Sequence, residues 1–218
     1  MPSFPRALGV AVSGVLVVVS LAACGTFTVT HEQRPGSPEP VDLATPAQPA
    51  AVLPPPVPVQ VTAGRWAVGD SVMLGAKPQL TASGIRVDAV ESRQFHAGIA
   101  LVRAALAAGA LPRDVIVHLG TNGTASLGDC RAVVAAAGAD RRVFLVTVHG
   151  PRPWMRADNT QLEACAAAYP GQRVVIIDWD RVASHHPEWF YADGIHLDGA
   201  GRTAYAALVT AAVTARGL

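Results

Sequence analysis

Lysine is almost missing from this chain: Lys77 is the only one among 218 residues, and arginine carries nearly all the positive charge. Neither sign is in excess, because 17 basic residues face 16 acidic ones for a formal net charge of +1. Binding a phosphate backbone needs a basic surplus that is absent here, so nucleic acid is excluded as an expected partner. Cysteine is scarce as well. Cys24, Cys130 and Cys165 form no CxxC pair and no Cys/His cluster of zinc spacing, which argues against a structural metal site. His149, His185 and His186 have no carboxylates at ligand spacing and read as loop residues. No Gly-Asn-His-Glu block or Asp-x-His ligand pair of metallophosphoesterase type occurs either. The expectation is therefore a chain without metal or cofactor.

What is present is apolar. Half of the residues are hydrophobic, enough to bury a core, and the length favours one domain with appendages. The first appendage begins with a single positive charge, Arg6, and runs apolar from Ala7 to Ala23, a secretory h-region. It closes on Leu21-Ala22-Ala23-Cys24-Gly25, which resembles the bacterial lipobox. There, small residues admit a signal peptidase and the cysteine thiol takes a diacylglyceryl group. A plain signal peptide or an uncleaved anchor is the competing reading, although seventeen residues barely span a bilayer. Under either anchor reading Arg6 stays inside and the remainder is exported. From Gly25 to Thr62 there are nine prolines and no hydrophobic periodicity. Residues 35–60 in polyproline II would reach about 80 Å at ~3.1 Å per residue, a spacer between membrane and domain. The expected division is residues 1–23 as signal peptide, 24–62 as Pro-rich linker and 63–218 as the globular domain.

From Arg65 onward, short β-branched runs alternate with longer alanine-rich stretches, the βαβ pattern of a parallel sheet covered on both faces. Strands are expected at Arg65–Val68, Ile85–Ala89, Val115–Leu119, Val143–Val148 and Val174–Ile177. Helices are expected at Ser71–Thr81, Phe95–Ala108, Leu127–Ala137, Asn159–Tyr169 and Gly199 to about Arg216. The fold class is α/β, a three-layer α/β/α sandwich on a five-stranded parallel sheet. Cys130 and Cys165 fall on the third and fourth helices, which successive crossovers place side by side, so a disulfide between them is expected in an exported domain. Two buried free thiols are the alternative.

In such sheets ligands bind beyond the carboxyl ends of the strands. After the first strand stands Gly69-Asp70-Ser71, a serine at a strand-to-helix turn where a helix N-terminus offers an N–H to an oxyanion; alone, it is as readily a simple N-cap. After the third comes His118-Leu119-Gly120-Thr121-Asn122-Gly123, in which Asn122 can donate to the same oxyanion and His118 reads as a hydrogen-bonded core histidine. Before the last helix comes Asp193-Gly194-Ile195-His196, spaced so that the carboxylate can orient the imidazole toward a nucleophile. Asn159 reads as a helix cap. Trp154, Trp179, Trp189 and Phe190 read as packing around the loops that frame the site, or lining an acyl or glycan groove.

Taken together, residues 65–218 resemble the SGNH (GDSL-like) hydrolase superfamily. Gly69-Asp70-Ser71 is similar to its first block, Gly120-Thr121-Asn122 to its third and Asp193-Gly194-Ile195-His196 to its fifth. The resemblance implies a flavodoxin-like arrangement with Ser71 as nucleophile, His196 as general base and then acid, and Asp193 as the orienting carboxylate. Asn122 and the Ser71 N–H become oxyanion donors. The second block departs: where the family supplies a glycine N–H, this chain reads Glu91-Ser92-Arg93-Gln94, which makes the Ser92 N–H the expected substitute. That Ser-Arg-Gln, with Gly69–Ala76 and His118–Gly123, looks like the extracellular domains of bacterial peptidoglycan O-acetyltransferases. The implied activity is an esterase or acyltransferase on small acyl esters of envelope glycans, lipid-anchored at the outer face of the membrane. Transfer would need a membrane acyl-donor protein, whereas hydrolysis needs water. A catalytically idle glycan-binding lipoprotein and a lysophospholipase-like lipid esterase are the alternative functions.

Overall fold

In the computed structural model, residues 64–171 and 173–215 are described. The expected signal peptide over 1–23, Cys24, the expected linker over 24–62 and residues 216–218 lie outside them. Five strands alternate with helices: β1 (Arg65–Gly69), β2 (Arg86–Ala89), β3 (Asp114–His118), β4 (Arg142–Val146) and β5 (Val174–Ile177). All pair in parallel in the order β2-β1-β3-β4-β5. The burial of the strands follows their place in the sheet. Central β3 is buried at every residue, as a strand covered on both faces must be, whereas edge strand β2 starts on an exposed residue and alternates.

The pleat sends successive strand residues into two cores. Ala67, Ile116, Phe144 and Val146 face one side. They pack there with α1 (Ser71–Gly75), α2 (Lys77–Ala82), α6 (Trp179–Ala183) and α7 (Gly199–Ala215). Trp66, Val68, Val115, Val117, Val143 and Leu145 face the other. Against them lie α3 (Phe95–Ala107), α4 (Leu127–Ala137) and α5 (Met155–Ala167). A Ser126/Asp129 capping box starts α4, pairing two backbone donors that the helix itself leaves free. In this second core Cys130 of α4 is disulfide-bonded to Cys165 of α5 across 35 residues of chain.

The structure corrects the expected helices in three places. The single helix expected over Ser71–Thr81 is two, broken at Ala76. Pro78 has no N–H to offer the Leu74 carbonyl and its ring crowds that turn, so the ladder restarts. The helix expected from Asn159 starts at Met155 and ends at Ala167. The short helix α6 and a 3-10 turn at Pro187–Trp189 fall where only a loop was expected, being too short to show a period.

Candidate active site

Strand β1 ends on Gly69 and the chain turns at once into α1, so Asp70 and Ser71 stand at the carboxyl edge of the sheet. Asp70 is the N-cap and is fully buried, its Oδ1 accepting the Val72 N–H at 3.1 Å. Ser71, the first residue of the helix, is half-buried with its hydroxyl turned to the front. Arg93 braces this junction from the turn after β2: its Nη1 donates to the Gly69 carbonyl (3.1 Å) and the Asp88 carbonyl (2.5 Å), and its Nη2 pairs with the Asp88 carboxylate (2.7 Å).

The loop before α7 brings Asp193 and His196. Tyr191 N–H donates to the His196 carbonyl at 2.9 Å, closing residues 191–196 on themselves, and Gly194 takes a left-handed φ of 66° to make the bend. Within this loop Asp193 Oδ1 accepts the backbone N–H groups of Ile195 and His196, both at 2.9 Å. Its Oδ2 lies 2.6 Å from His196 Nδ1, and His196 Nε2 lies 3.0 Å from Ser71 Oγ, across 125 residues of sequence. The hydrogen bond to His196, helped by the two backbone donors, holds the Asp193 carboxyl down to about 2, so it stays ionised in ordinary buffers. The structure thus brings Ser71, His196 and Asp193 into one hydrogen-bonded row. Both acidic and basic partners remain wet, with side chains 45% and 46% exposed.

Behind the serine the environment is dry. His118 Nδ1 is 2.7 Å from the Tyr205 hydroxyl and the rings stack at 5.3 Å, all buried. Burial pushes the His118 imidazole down, against an opposing pull from the Asp70 charge, and pushes the Tyr205 phenol up. The His118 Nε2 and the Asp70 Oδ2 are both buried without a hydrogen-bond partner.

Asn122 and Ser92 are also at this edge, beyond β3 and β2, but neither hydrogen-bonds to the Ser71-His196-Asp193 row. Asn122 is half-buried and its Nδ2 is enclosed without an acceptor. Ser92 is exposed in the turn after β2, with a left-handed φ of 57°. The Asn122 loop is held at both ends by the α5 region: Trp154 Nε1 donates to the Gly120 carbonyl (2.9 Å), and Asp158 Oδ2 accepts the Ala125 N–H (2.7 Å). Burial pushes the Asp158 carboxyl up.

Several readings of single residues need correction. Asn159 is no cap; it sits inside α5, buried, bonding the Val148 N–H and C=O at 2.9 Å each. Of the two readings of Trp179 the packing one holds: it is buried in the core, stacked on Trp189 at 5.9 Å. Sequence reading missed Arg93, Asp158 and Tyr205 as supports of the site. Their side chains act across 24 to 87 residues of chain, and no local spacing signals that. Beside Ser71, Asp193 and His196 opens a cleft of about 430 Å³, walled by Leu74, Gly75, Glu91, Tyr191, Leu197 and Arg202.

A five-stranded parallel sheet of this order, with a serine after β1 and an Asp-x-x-His loop before the last helix, defines a class. Its fold is that of the solved SGNH-type (GDSL-like) hydrolases. No protein-family model matches it. Among curated proteins it is 32% identical over 149 residues to the putative peptidoglycan O-acetyltransferase YrhL of Bacillus subtilis (strain 168), covering 67% of this chain and 23% of that one. It is 33% identical over 149 residues to the peptidoglycan O-acetyltransferase OatA of Listeria monocytogenes, covering 66% of this chain and 23% of that one. The chain thus matches about a quarter of the length of these relatives. Among solved structures, the C-terminal catalytic domain of Streptococcus pneumoniae OatA shares the fold, with a TM-score of 0.65 and 22% identity over 72% of this chain and 95% of that one.

Proposed function

We propose that this chain is an exported serine esterase or O-acyltransferase acting on small acyl esters of cell-envelope glycans, acetyl esters of peptidoglycan first among them. The observation that carries the reading is the unbroken row of Ser71 Oγ, His196 and Asp193 at 3.0 and 2.6 Å. Its support in kind comes from the two curated relatives, both named for peptidoglycan O-acetylation.

In the proposed reaction Ser71 Oγ attacks the ester carbonyl carbon while its proton passes to His196 Nε2. The carbonyl oxygen becomes an oxyanion, held by the Ser71 N–H at the start of α1, by the Asn122 Nδ2 and by the Ser92 N–H. An enclosed amide donor without an acceptor suits this role, because the oxyanion would satisfy it. The ester C–O bond breaks, the alcohol departs with the proton from His196, and the acyl group remains on Ser71. Water or a sugar hydroxyl then attacks the acyl carbon, giving its proton to His196, which returns it to Ser71. Asp193 stays ionised throughout and stabilises the imidazolium. The exposure of Asp193 and His196 lets water reach the acyl-enzyme, so hydrolysis proceeds where no acceptor is bound.

The cellular setting rests on residues 1–62. A cleaved signal peptide over 1–23, a diacylglyceryl group on Cys24 and a stiff spacer over 24–62 would hold the domain outside the cell membrane. Net transfer onto a glycan would then draw on a membrane acyl-donor protein. The test is hydrolysis of 4-nitrophenyl acetate by the full chain beside Ser71→Ala and His196→Ala. The expected loss is roughly 10⁴-fold or more in kcat for each variant. Equal rates in all three proteins would overturn the proposal.

A further inference from the structure

An acetyl group fills only a small corner of a 430 Å³ cleft, so most of that space faces the molecule that bears or accepts the acyl group. Its walls are chemically mixed. Leu74 and Leu197 are apolar. Tyr191 is one of two large hydrophobic side chains in the described residues that stand exposed, at 53%. Arg202 and Glu91 complete the cleft, and within the described residues neither has an ion-pair partner.

Tyr191 is exposed but fixed. Its N–H bonds the His196 carbonyl at 2.9 Å and its own carbonyl accepts the Gly194 N–H at 2.9 Å, so its backbone is rigid with respect to the base. Its hydroxyl is reached by Arg202 Nη2 at 3.5 Å, while Arg202 Nε is anchored on the Leu197 carbonyl at 3.0 Å. The cleft thus joins an aromatic ring on a backbone tied to His196, a guanidinium with donors to spare and a carboxylate that only accepts. One apolar ring face with equatorial donors and acceptors around its rim is the surface of a pyranose.

We infer that the cleft formed by Tyr191, Arg202 and Glu91 is a sugar subsite, in which a pyranose ring of the glycan stacks on Tyr191 and its substituent oxygens bond Arg202 and Glu91. The inference rests on the proposed glycan ester chemistry and names the residues that select its substrate.

The test is calorimetric binding of a soluble N-acetylglucosamine pentamer to the full chain carrying Ser71→Ala, which separates recognition from chemistry. In that background Tyr191→Ala is expected to weaken binding about 10-fold, the loss of one aromatic stacking contact, ~1.4 kcal/mol. Tyr191→Phe, which keeps the ring, is expected to stay within about 2-fold. Arg202→Gln is expected to weaken binding by a smaller factor than Tyr191→Ala. Binding that is equal with and without the Tyr191 ring, or no binding of the pentamer at millimolar concentration, would overturn the subsite. Either result leaves Ser71-dependent ester hydrolysis standing, and loss of that hydrolysis alone leaves the subsite standing.

Discussion

The two sides of Ser71 are built on opposite principles. Behind it, Asp70, His118 and Tyr205 are buried, and polar groups meet in a dry space between the sheet and α7. In front, Asp193 and His196 sit in a loop whose side chains are nearly half exposed, and that loop holds its shape by bonding to itself. The rear fixes Ser71 through packing, so damage there should appear as lost stability. The front positions His196 through a few local hydrogen bonds in water, so damage there should appear as lost rate with the fold intact. For the proposed acyl-enzyme, which must finally meet an acceptor, rigid support behind and solvent access before is what the reaction requires.

The sharpest way to break this contrast is Asp193→Asn. It keeps the size of the side chain but takes away the charge that steadies the imidazolium, and it is expected to lower kcat for 4-nitrophenyl acetate by roughly 10²- to 10⁴-fold. The melting temperature should move little, since the side chain is nearly half exposed and an amide oxygen can still accept the Ile195 and His196 N–H groups. A large drop in melting temperature would instead show that the front loop is part of the folding unit.

Next in size is removal of the disulfide through Cys130→Ser with Cys165→Ser. Opening a 35-residue loop is expected to cost about 3 to 4 kcal/mol of stability, read from the urea midpoint. Because α5 also carries the Asp158 that anchors the Asn122 loop, the remaining folded protein is expected to keep its activity while unfolding sooner. An unchanged midpoint would mean that the bond constrains little beyond what the helices already pack.

The smallest effect belongs to the rear. Tyr205→Phe removes the one hydroxyl that bonds His118 Nδ1 and leaves a buried ring nitrogen unpaired, at an expected cost of about 1 to 3 kcal/mol. The same pocket gives stability a pH slope. His118 is held below the ordinary imidazole value of 6.5, so the unfolded chain binds the proton more tightly than the native one. Stability contributed by the neutral buried ring is therefore complete above that value and declines as pH falls below it. His118→Gln should flatten this decline in melting temperature between neutral and mildly acidic pH; an identical slope in the variant would place the titrating group elsewhere.

How much of this was legible beforehand differs by kind of feature. The five strands read correctly to within a residue or two because a parallel sheet covered on both faces demands near-continuous β-branched runs, and Val115–Val117 and Val174–Ile177 are such runs. That Ser71, Asp193 and His196 would meet was legible because each is a residue type with distinctive chemistry placed at an end of a strand or before a helix. Asn159 and the break at Ala76 were misread, for the deciding neighbour lies elsewhere in space or, at Pro78, inside an otherwise good helical pattern.

The sequence by itself determined the α/β class, the strand order's raw material and the identities of the reactive side chains, because hydrophobic period and functional-group chemistry are local properties. Only the tertiary structure decided that His196 Nε2 stands 3.0 Å from Ser71 Oγ, that Arg93 and Asp158 brace the loops around them, and that Tyr191 and Arg202 wall a cleft. Those are distances between residues far apart along the chain, and they are set by how the two cores pack against one sheet, which no stretch of sequence encodes alone.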